Sequence, residues 1–406
     1  MHPIHIIGVG IAPDDLSEPK LRMICNADVL VCGERLLKRF ESFGGRRIVI
    51  KAPLEEIVHS IREEMDSGKL VVVVAEGDPG FFGIGRKLMR AFDRDQVTLI
   101  PNVTTLQAAA SRMKMPWETI RTVSLHGRSD PHPLFRALAS SDLVGVYTDK
   151  DSDPAALSGV LVARGVKGFR MWVFENLGDI EEKVGCYELE DAGNRIFSPL
   201  NFVILERVRR PELIPQFGMD DDLYLHSAGL ITKKEIRAVG LAALRIEPHH
   251  TVWDLGAGCG SVSIEASILA HEGTVYAVEK DESRVEMIFG NRRRMGAYGV
   301  EVIRGTMPEC LKDLPDPDRI FMGGGLGDGV EVLESAMSRL KPGGRMVLHL
   351  VLLGSMETVR ACLRTKKWEY DLTQVQVSRS RALAGDERLE PLNPVYVVSI
   401  IKPRDH

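Results

Sequence analysis

The sequence has no apolar run near the roughly 18 residues needed to cross a bilayer. Its longest runs, 70–75 and 346–353, have the length of buried strands. None of its six cysteines (Cys25, Cys32, Cys186, Cys259, Cys310 and Cys362) forms a C-x-x-C pair. That favours free thiols in a reducing cytosol over disulfides or a protein metal site. Basic charge is not in excess: 52 Lys and Arg against 57 Asp and Glu give a net charge of -5. Nucleic acid is therefore disfavoured as the main partner, because phosphate binding wants a basic face. Residues 1–10 lack the basic start and long apolar stretch of a signal peptide, so a cytoplasmic protein is expected. There is no short tandem repeat and no low-complexity tract. What is present is ordinary globular composition, 44% hydrophobic and 27% charged over 406 residues. That length implies two or three domains.

Short β-type runs alternate with helical stretches throughout. In the first half, strands are expected at 4–9, 29–32, 47–50, 70–75 and 97–100, with helices at 54–65 and 105–112. After a joint at Met115-Pro116-Trp117, a second set of strands is expected at 122–125, 143–147, 171–174 and 202–206. This half reads as two α/β lobes. Residues 209–222 hold Pro211, Pro215, Gly218 and an acidic run, and read as a linker. The pattern then restarts with a helix at 233–244 and strands at 251–255, 275–279, 319–322 and 346–350. Alternating strands and helices imply parallel β-α-β units. The run 395–400 is expected to complete that sheet.

The most informative stretch is Val252-Trp253-Asp254-Leu255-Gly256-Ala257-Gly258-Cys259-Gly260. A strand runs into three glycines and then into a helix at 261–270. Glycines let the backbone approach a ligand, and the helix start offers unpaired N–H donors. Two ligands compete for such a loop. A dinucleotide turn needs G-x-G-x-x-G, but position 261 is Ser and the spacing is G-x-G-x-G. An acidic residue just before the glycines, Asp254, suits a sulfonium amino acid better than pyrophosphate. Glu279 ends the next strand, where a carboxylate can hold both ribose hydroxyls. The plain alternative is a glycine turn that only packs helix on strand.

Asp254 to Gly260 followed by Ala277-Val278-Glu279 resembles the class I Rossmann-like methyltransferases. More narrowly, residues 229–237, Pro308-Glu309-Cys310-Leu311 and Phe321-Met322-Gly323-Gly324-Gly325 resemble the decarboxylating precorrin methyltransferases. The resemblance implies that S-adenosylmethionine is held by Asp254, Gly256, Gly258, Gly260 and Glu279, with Thr232 as a candidate catalytic group. Many relatives carry an acidic residue at the third strand end for the adenine amino group. Here Thr306 stands nearby, and supplies only a hydroxyl or backbone bond.

In the first half, Ile7-Gly8-Val9-Gly10 with Ala75-Glu76-Gly77-Asp78-Pro79-Gly80-Phe81-Phe82-Gly83 resembles the tetrapyrrole methylase (class III) fold. Residues 101–109, 125–128 and 198–201 fit the same family's later signatures, and together these cover most of residues 1–208. The implied donor contacts are Gly8, Gly10, Gly77, Asp78, Pro79, Thr104 and Thr105, with Asp78 and His126 as candidate catalytic groups. Each has a plain reading as well. Thr104 and Thr105 can cap the following helix, Asp78 can be a turn former beside Pro79, and His126 a hydrogen-bonded loop histidine.

Both modules together resemble the fused decarboxylating precorrin methyltransferases acting at C5 and C15, with domains at 1–208 and 223–406. The resemblance implies two donor sites per chain, a tetrapyrrole substrate and a homo-oligomer. Methylation would leave an iminium-like system that accepts electrons as carbon dioxide leaves. Such a substrate carries many carboxylates, for which Arg121, Arg128, Arg379, Arg381 and Arg388 are candidate anchors. Arg292-Arg293-Arg294 reads as a solvated helix face. A two-domain NAD-dependent oxidoreductase, an RNA methyltransferase and a noncatalytic ligand-binding protein are the competing readings. The N/D-P-P-Y motif of amino-methylating types is absent after the fourth strand, where Phe321 to Gly325 stands.

Overall fold

The computed structural model describes residues 2–51, 53–127, 130–227, 229–323 and 330–404. Arg128, Gly324 and Gly325 of the sequence reading lie outside them. By spatial contact the chain divides into two units. The first is Met1–Ser129, Asp142–Val160 and Phe169–Arg207; the second is Asp130–Ser141, Leu161–Gly168 and Val208–His406.

The first unit holds two five-stranded sheets. One is built from β1 (Ile4–Gly8), β2 (Val29–Cys32), β3 (Arg46–Val49), β4 (Val71–Ala75) and β5 (Val97–Ile100), all parallel, in the order β3-β2-β4-β1-β5. Val71 to Val74 are each at most 1% exposed, since apolar side chains pack on both faces of the strand. Each such burial contributes about 1.5–3 kcal/mol. The other sheet contains β6 (Arg121–Ser124), β7 (Leu143–Tyr147), β8 (Phe169–Glu175), β9 (Lys183–Glu188) and β10 (Asn201–Arg207). Its order is β6-β7-β10-β8-β9, and only β6 and β7 run parallel. The helix Thr105–Met113 packs Leu106, Ala109 and Ala110 against Phe174, Phe202 and Ile204 of this sheet.

The second unit carries a seven-stranded sheet. Its strands are β11 (Thr251–Leu255), β12 (Thr274–Glu279), β13 (Val300–Arg304), β14 (Arg319–Met322), β15 (Arg345–Leu350), β16 (Tyr370–Val375) and β19 (Val395–Ile401). The order is β13-β12-β11-β14-β15-β19-β16. β19 does complete the sheet, but antiparallel, between β15 and β16. β17 (Ser378–Leu383) and β18 (Asp386–Pro391) form a separate exposed hairpin. No helix among the described residues is long and apolar enough to cross a membrane.

Residues 209–222 belong to the second unit and are held there. Leu213 donates its N–H to the Arg294 carbonyl at 3.1 Å, and Gly218 and Met219 donate to the Glu265 carboxylate at 2.9 and 3.2 Å. The arginine run is only in part a solvated face: Arg293 is exposed and Arg294 pairs with Glu212, but Arg292 is buried. Arg292 is 5% exposed and donates to the Val300 and Arg164 carbonyls at 3.3 and 3.0 Å, so burial, with Arg164 beside it, lowers its pKa to about 10. Buried carbonyls require donors, and the last turn of the helix Glu282–Met295 supplies one.

Candidate active sites

In the first unit three loops meet at the carboxyl ends of β1, β4 and β5. Gly10 donates to the Gly77 carbonyl at 3.3 Å, and Gly77 to the Gly10 carbonyl at 2.9 Å. Gly8 must be glycine: a Cβ there would stand 2.5 Å from the Gly77 carbonyl oxygen and 2.9 Å from the Pro79 ring. Asp78 accepts from the Gly80 N–H at 2.7 Å and the Asn102 N–H at 3.1 Å, bracing the turn against the third loop. Asn102 donates its side-chain amide to the Gly8 and Asp15 carbonyls at 2.9 and 3.0 Å. Its role was missed in the sequence, although it sits inside a quoted signature. An asparagine after a strand usually signals only a turn.

Thr104 is the N-cap of the helix Thr105–Met113. It accepts from the Gln107 N–H at 3.1 Å, and Gln107 accepts from the Thr104 N–H at 2.9 Å. Thr105 hydrogen-bonds the Tyr147 hydroxyl, whose pKa burial pushes up to about 12. His126 follows β6 and is exposed, with Nδ1 3.3 Å from the Thr148 carbonyl. The next N–H, of Gly127, donates to Asp149 at 2.7 Å; that bond and its neighbours pull Asp149 down to about 2. Asp78 and His126 thus sit on different sheets, each with its own backbone partners. Arg121 opens β6.

In the second unit the glycine loop follows β11. Gly256, Gly258 and Gly260 have φ of 74°, 59° and 81°, the left-handed region that glycine takes without strain. Gly256 and Ala257 both donate to the Val278 carbonyl, tying the loop to the end of β12. Glu279 is 4% exposed and wraps the loop from the next strand. One carboxylate oxygen accepts from Gly258 at 2.9 Å; the other accepts from Lys280 and Asp281 at 2.9 and 3.0 Å. A Cβ on Gly258 would meet nothing within 4 Å. The loop therefore has open space beside a fixed carboxylate, which fits the ribose end of the expected donor. Gly305 donates to the Glu279 carbonyl at 3.1 Å, so exposed Thr306 stands beside this corner.

Asp254 is 1% exposed and accepts from the Ser263 hydroxyl. Burial, with the Glu279 charge adding to it, pushes its carboxyl up to about 7 against the pull of the Ser263 hydrogen bonds. The Thr232 hydroxyl lies 3.8 Å from where a Cβ of Gly323 would stand, at the end of β14. The loop carrying Thr232 is pinned by Arg237, which is fully buried. Arg237 donates to the Thr232 and Met219 carbonyls at 2.5 Å each and to Glu265 at 2.7 Å.

The candidate anchors differ. Arg379 is paired bidentately with Glu235 at 2.6 and 3.1 Å and reaches Asp221 at 3.1 Å. Arg381 and Arg388, on the exposed hairpin, share Glu390 at 2.6 and 3.4 Å. The sequence reading also missed His349 on β15. It is 7% exposed, both ring nitrogens are unpaired among the described residues, and burial lowers its pKa to about 4. Its ring stands edge-on to Phe321 at 4.7 Å.

The tetrapyrrole (corrin/porphyrin) methylase family matches residues 3–192, and the precorrin methyltransferase domain family matches residues 222–402. The chain is 32% identical over 395 residues to a precorrin-6Y C(5,15)-methyltransferase [decarboxylating] of a Sinorhizobium species, covering 95% of this chain and 94% of that protein. A probable cobalt-precorrin-6B C(15)-methyltransferase (decarboxylating) of Pyrobaculum calidifontis is 35% identical over 185 residues, 45% of this chain and 94% of its own length. A solved structure of a precorrin-6Y C5,15-methyltransferase from Geobacter metallireducens is 37% identical with a TM-score of 0.45, covering 46% of this chain and all of that one. The chain belongs to the precorrin-6Y C(5,15)-methyltransferase (decarboxylating) family, enzymes of cobalamin synthesis that take their methyl groups from S-adenosylmethionine.

Proposed function

We propose that each chain has two donor sites, one transferring a methyl group to C5 of a precorrin and the other to C15 with loss of an acetate carboxyl as carbon dioxide. The carrying observation is the pair of unrelated glycine-loop constellations: Gly8, Gly10, Gly77 and Pro79 in one unit, and Gly256, Gly258 and Gly260 with Glu279 in the other. The first transfer is assigned to residues 1–208 and the second to 223–406. S-adenosylmethionine supplies an activated methyl on sulfonium, so alignment matters more than a strong base. Gly8, Gly10, Gly77, Asp78, Pro79, Thr104 and Thr105 hold the donor in the first site. Asp254, the three glycines and Glu279 hold it in the second, with Thr306 toward the adenine. Thr232 is the candidate catalytic group there. Arg121 is kept as a candidate carboxylate anchor of the first unit alone, and Arg379, Arg381 and Arg388 as candidate anchors of the second, where a substrate carboxylate would have to compete with Glu235, Asp221 and Glu390. At C15, methylation creates an electron-poor iminium system that takes up the electron pair as the carboxylate leaves. Self-association rests on the family resemblance, and light scattering of the pure chain reads it.

Titrating the intact chain with S-adenosylhomocysteine should give a calorimetric stoichiometry near two. A clean value near one, with the Glu279 site accounting for all of it, would remove the first site from the proposal.

A pH effect follows from Asp254. In the free protein its carboxyl titrates near 7, raised by burial. A cationic donor beside it favours the ionised form, so binding at pH 6–6.5 should release a proton. The donor then binds more tightly as pH rises toward 7, by at most about tenfold per unit. Calorimetry in buffers of different ionisation heat measures the proton directly. No proton release, or equal release from Asp254→Asn, would show that Asp254 does not face the donor.

A further inference from the structure

The second unit has a cavity of about 370 Å³ whose lining includes Arg245, Arg319, Arg345, Lys402 and Arg404 against one carboxylate, Glu247. It lies at the opposite end of the sheet from the glycine loop. Arg319 and Arg345 are the first residues of the parallel strands β14 and β15, whereas the donor loops follow strand carboxyl ends. Arg319 is paired in register with Arg345, and Arg345 with Ile401 of β19. Residues in register on neighbouring strands project from the same face about 5 Å apart, and like charges so placed repel. The chain nevertheless sets two guanidinium groups there.

Internal partners relieve this only in part. Arg319 is 8% exposed and donates to the Arg245 and Asp318 carbonyls at 3.1 and 2.8 Å. Lys402 donates to the Ser338 carbonyl at 2.8 Å. Arg245, Arg345 and Arg404 make no ion pair with a carboxylate within 4.0 Å among the described residues. Arg404 lies across the turn at Gly343, with Nε 3.3 Å from where a Cβ would stand. Burial holds Arg319 and Arg345 below the ordinary guanidinium range; Glu247 and Asp318 oppose it at Arg319, and Asp371 opposes the added charge of Arg245 at Arg345. Five cations around a cavity outnumber the carboxylates acting on them, Glu247, Asp318 and Asp371, and so favour an anion able to accept from several guanidinium groups together. His249 and His250 bring ring nitrogens within 4.8 Å of the Glu247 carboxylate, but the surrounding cations make this corner unfavourable for a metal ion.

We propose that this cavity is a second ligand site of the unit, binding a small anion with several phosphate or carboxylate groups. The site is separate from the donor loop and does not depend on the methyl-transfer assignment. The test is calorimetry of the full chain with inorganic pyrophosphate and, separately, citrate, at constant ionic strength so that general screening is equal. One of the two should bind with a stoichiometry of one, and the tighter identifies phosphate or carboxylate as the preferred group. Arg404→Gln and Arg345→Gln should each weaken it about tenfold. Binding of S-adenosylhomocysteine should be unchanged in both, which also reports that they fold. Arg404 is exposed near the chain end, so its substitution leaves the sheet intact. Binding of neither probe, or binding that survives both substitutions in folded protein, overturns the proposal.

Discussion

Glu279→Gln is expected to weaken S-adenosylhomocysteine binding at the second site about tenfold or more. The proposed charge-assisted hydrogen bonds from the ribose hydroxyls to Glu279 would contribute roughly 1.5–3 kcal/mol, and about 1.4 kcal/mol is one decade of affinity. The structure adds a second reason. Glu279 already accepts from the N–H groups of Gly258, Lys280 and Asp281. A glutamine turns one oxygen into an NH2 donor, which must face an N–H on one side or the other. The glycine loop then loses its brace together with its charge. C15 methylation and decarboxylation should fall in parallel, because the second depends on the first. C5 methylation, assayed on its own substrate, should be nearly unchanged. Calorimetry and single-step assays on the intact chain separate these effects. Affinity equal to wild type at the second site would remove the ribose role and leave Glu279 as a brace of the loop alone.

Arg237→Ala should have the largest effect on stability, a loss of about 3–5 kcal/mol. Arg237 and Glu265 are both fully buried and bonded at 2.7 Å. Removing the cation strands a carboxylate that also accepts from Gly218, Met219 and Tyr224. It also frees the Thr232 and Met219 carbonyls, which loosens the loop carrying Thr232. Glu265→Gln keeps the shape and places one donor against a ring of donors, so a smaller loss of about 1–3 kcal/mol is expected. Urea unfolding of the two variants gives the comparison. A change within about 0.5 kcal/mol for Arg237→Ala, the range of ordinary surface substitutions, would contradict the clamp.

The parts legible in the sequence were those with a periodic or glycine signal. The fully apolar run at 71–75, the strand before Gly256 and the turn at Gly77 to Gly80 lie within a residue or so of their expected places. The competing oxidoreductase and RNA methyltransferase readings fell to family membership, not to composition. Strands with no buried face gave no signal. Ser378–Leu383 and Asp386–Pro391 are polar and mostly exposed, and Lys183–Glu188 at a sheet edge is half polar. Buried ionic partners were also invisible, because Arg237 and Glu265 stand 28 positions apart and meet only in the fold. The same holds for Arg292, one of whose acceptors, the Arg164 carbonyl, lies 128 positions away. Asn102 lacked a signal of its own, since what it joins are backbone carbonyls of other loops.

The most direct test of the central claim is product analysis by mass. The intact chain is incubated with S-adenosylmethionine labelled in the methyl group and with precorrin-6Y. The account predicts a product that has gained two labelled methyl groups and lost one carbon dioxide. Glu279→Gln should stall mainly at a species with one label and its acetate carboxyl intact. A product with one methyl from the unaltered chain under excess donor, or two methyls with no carbon dioxide lost, would contradict it.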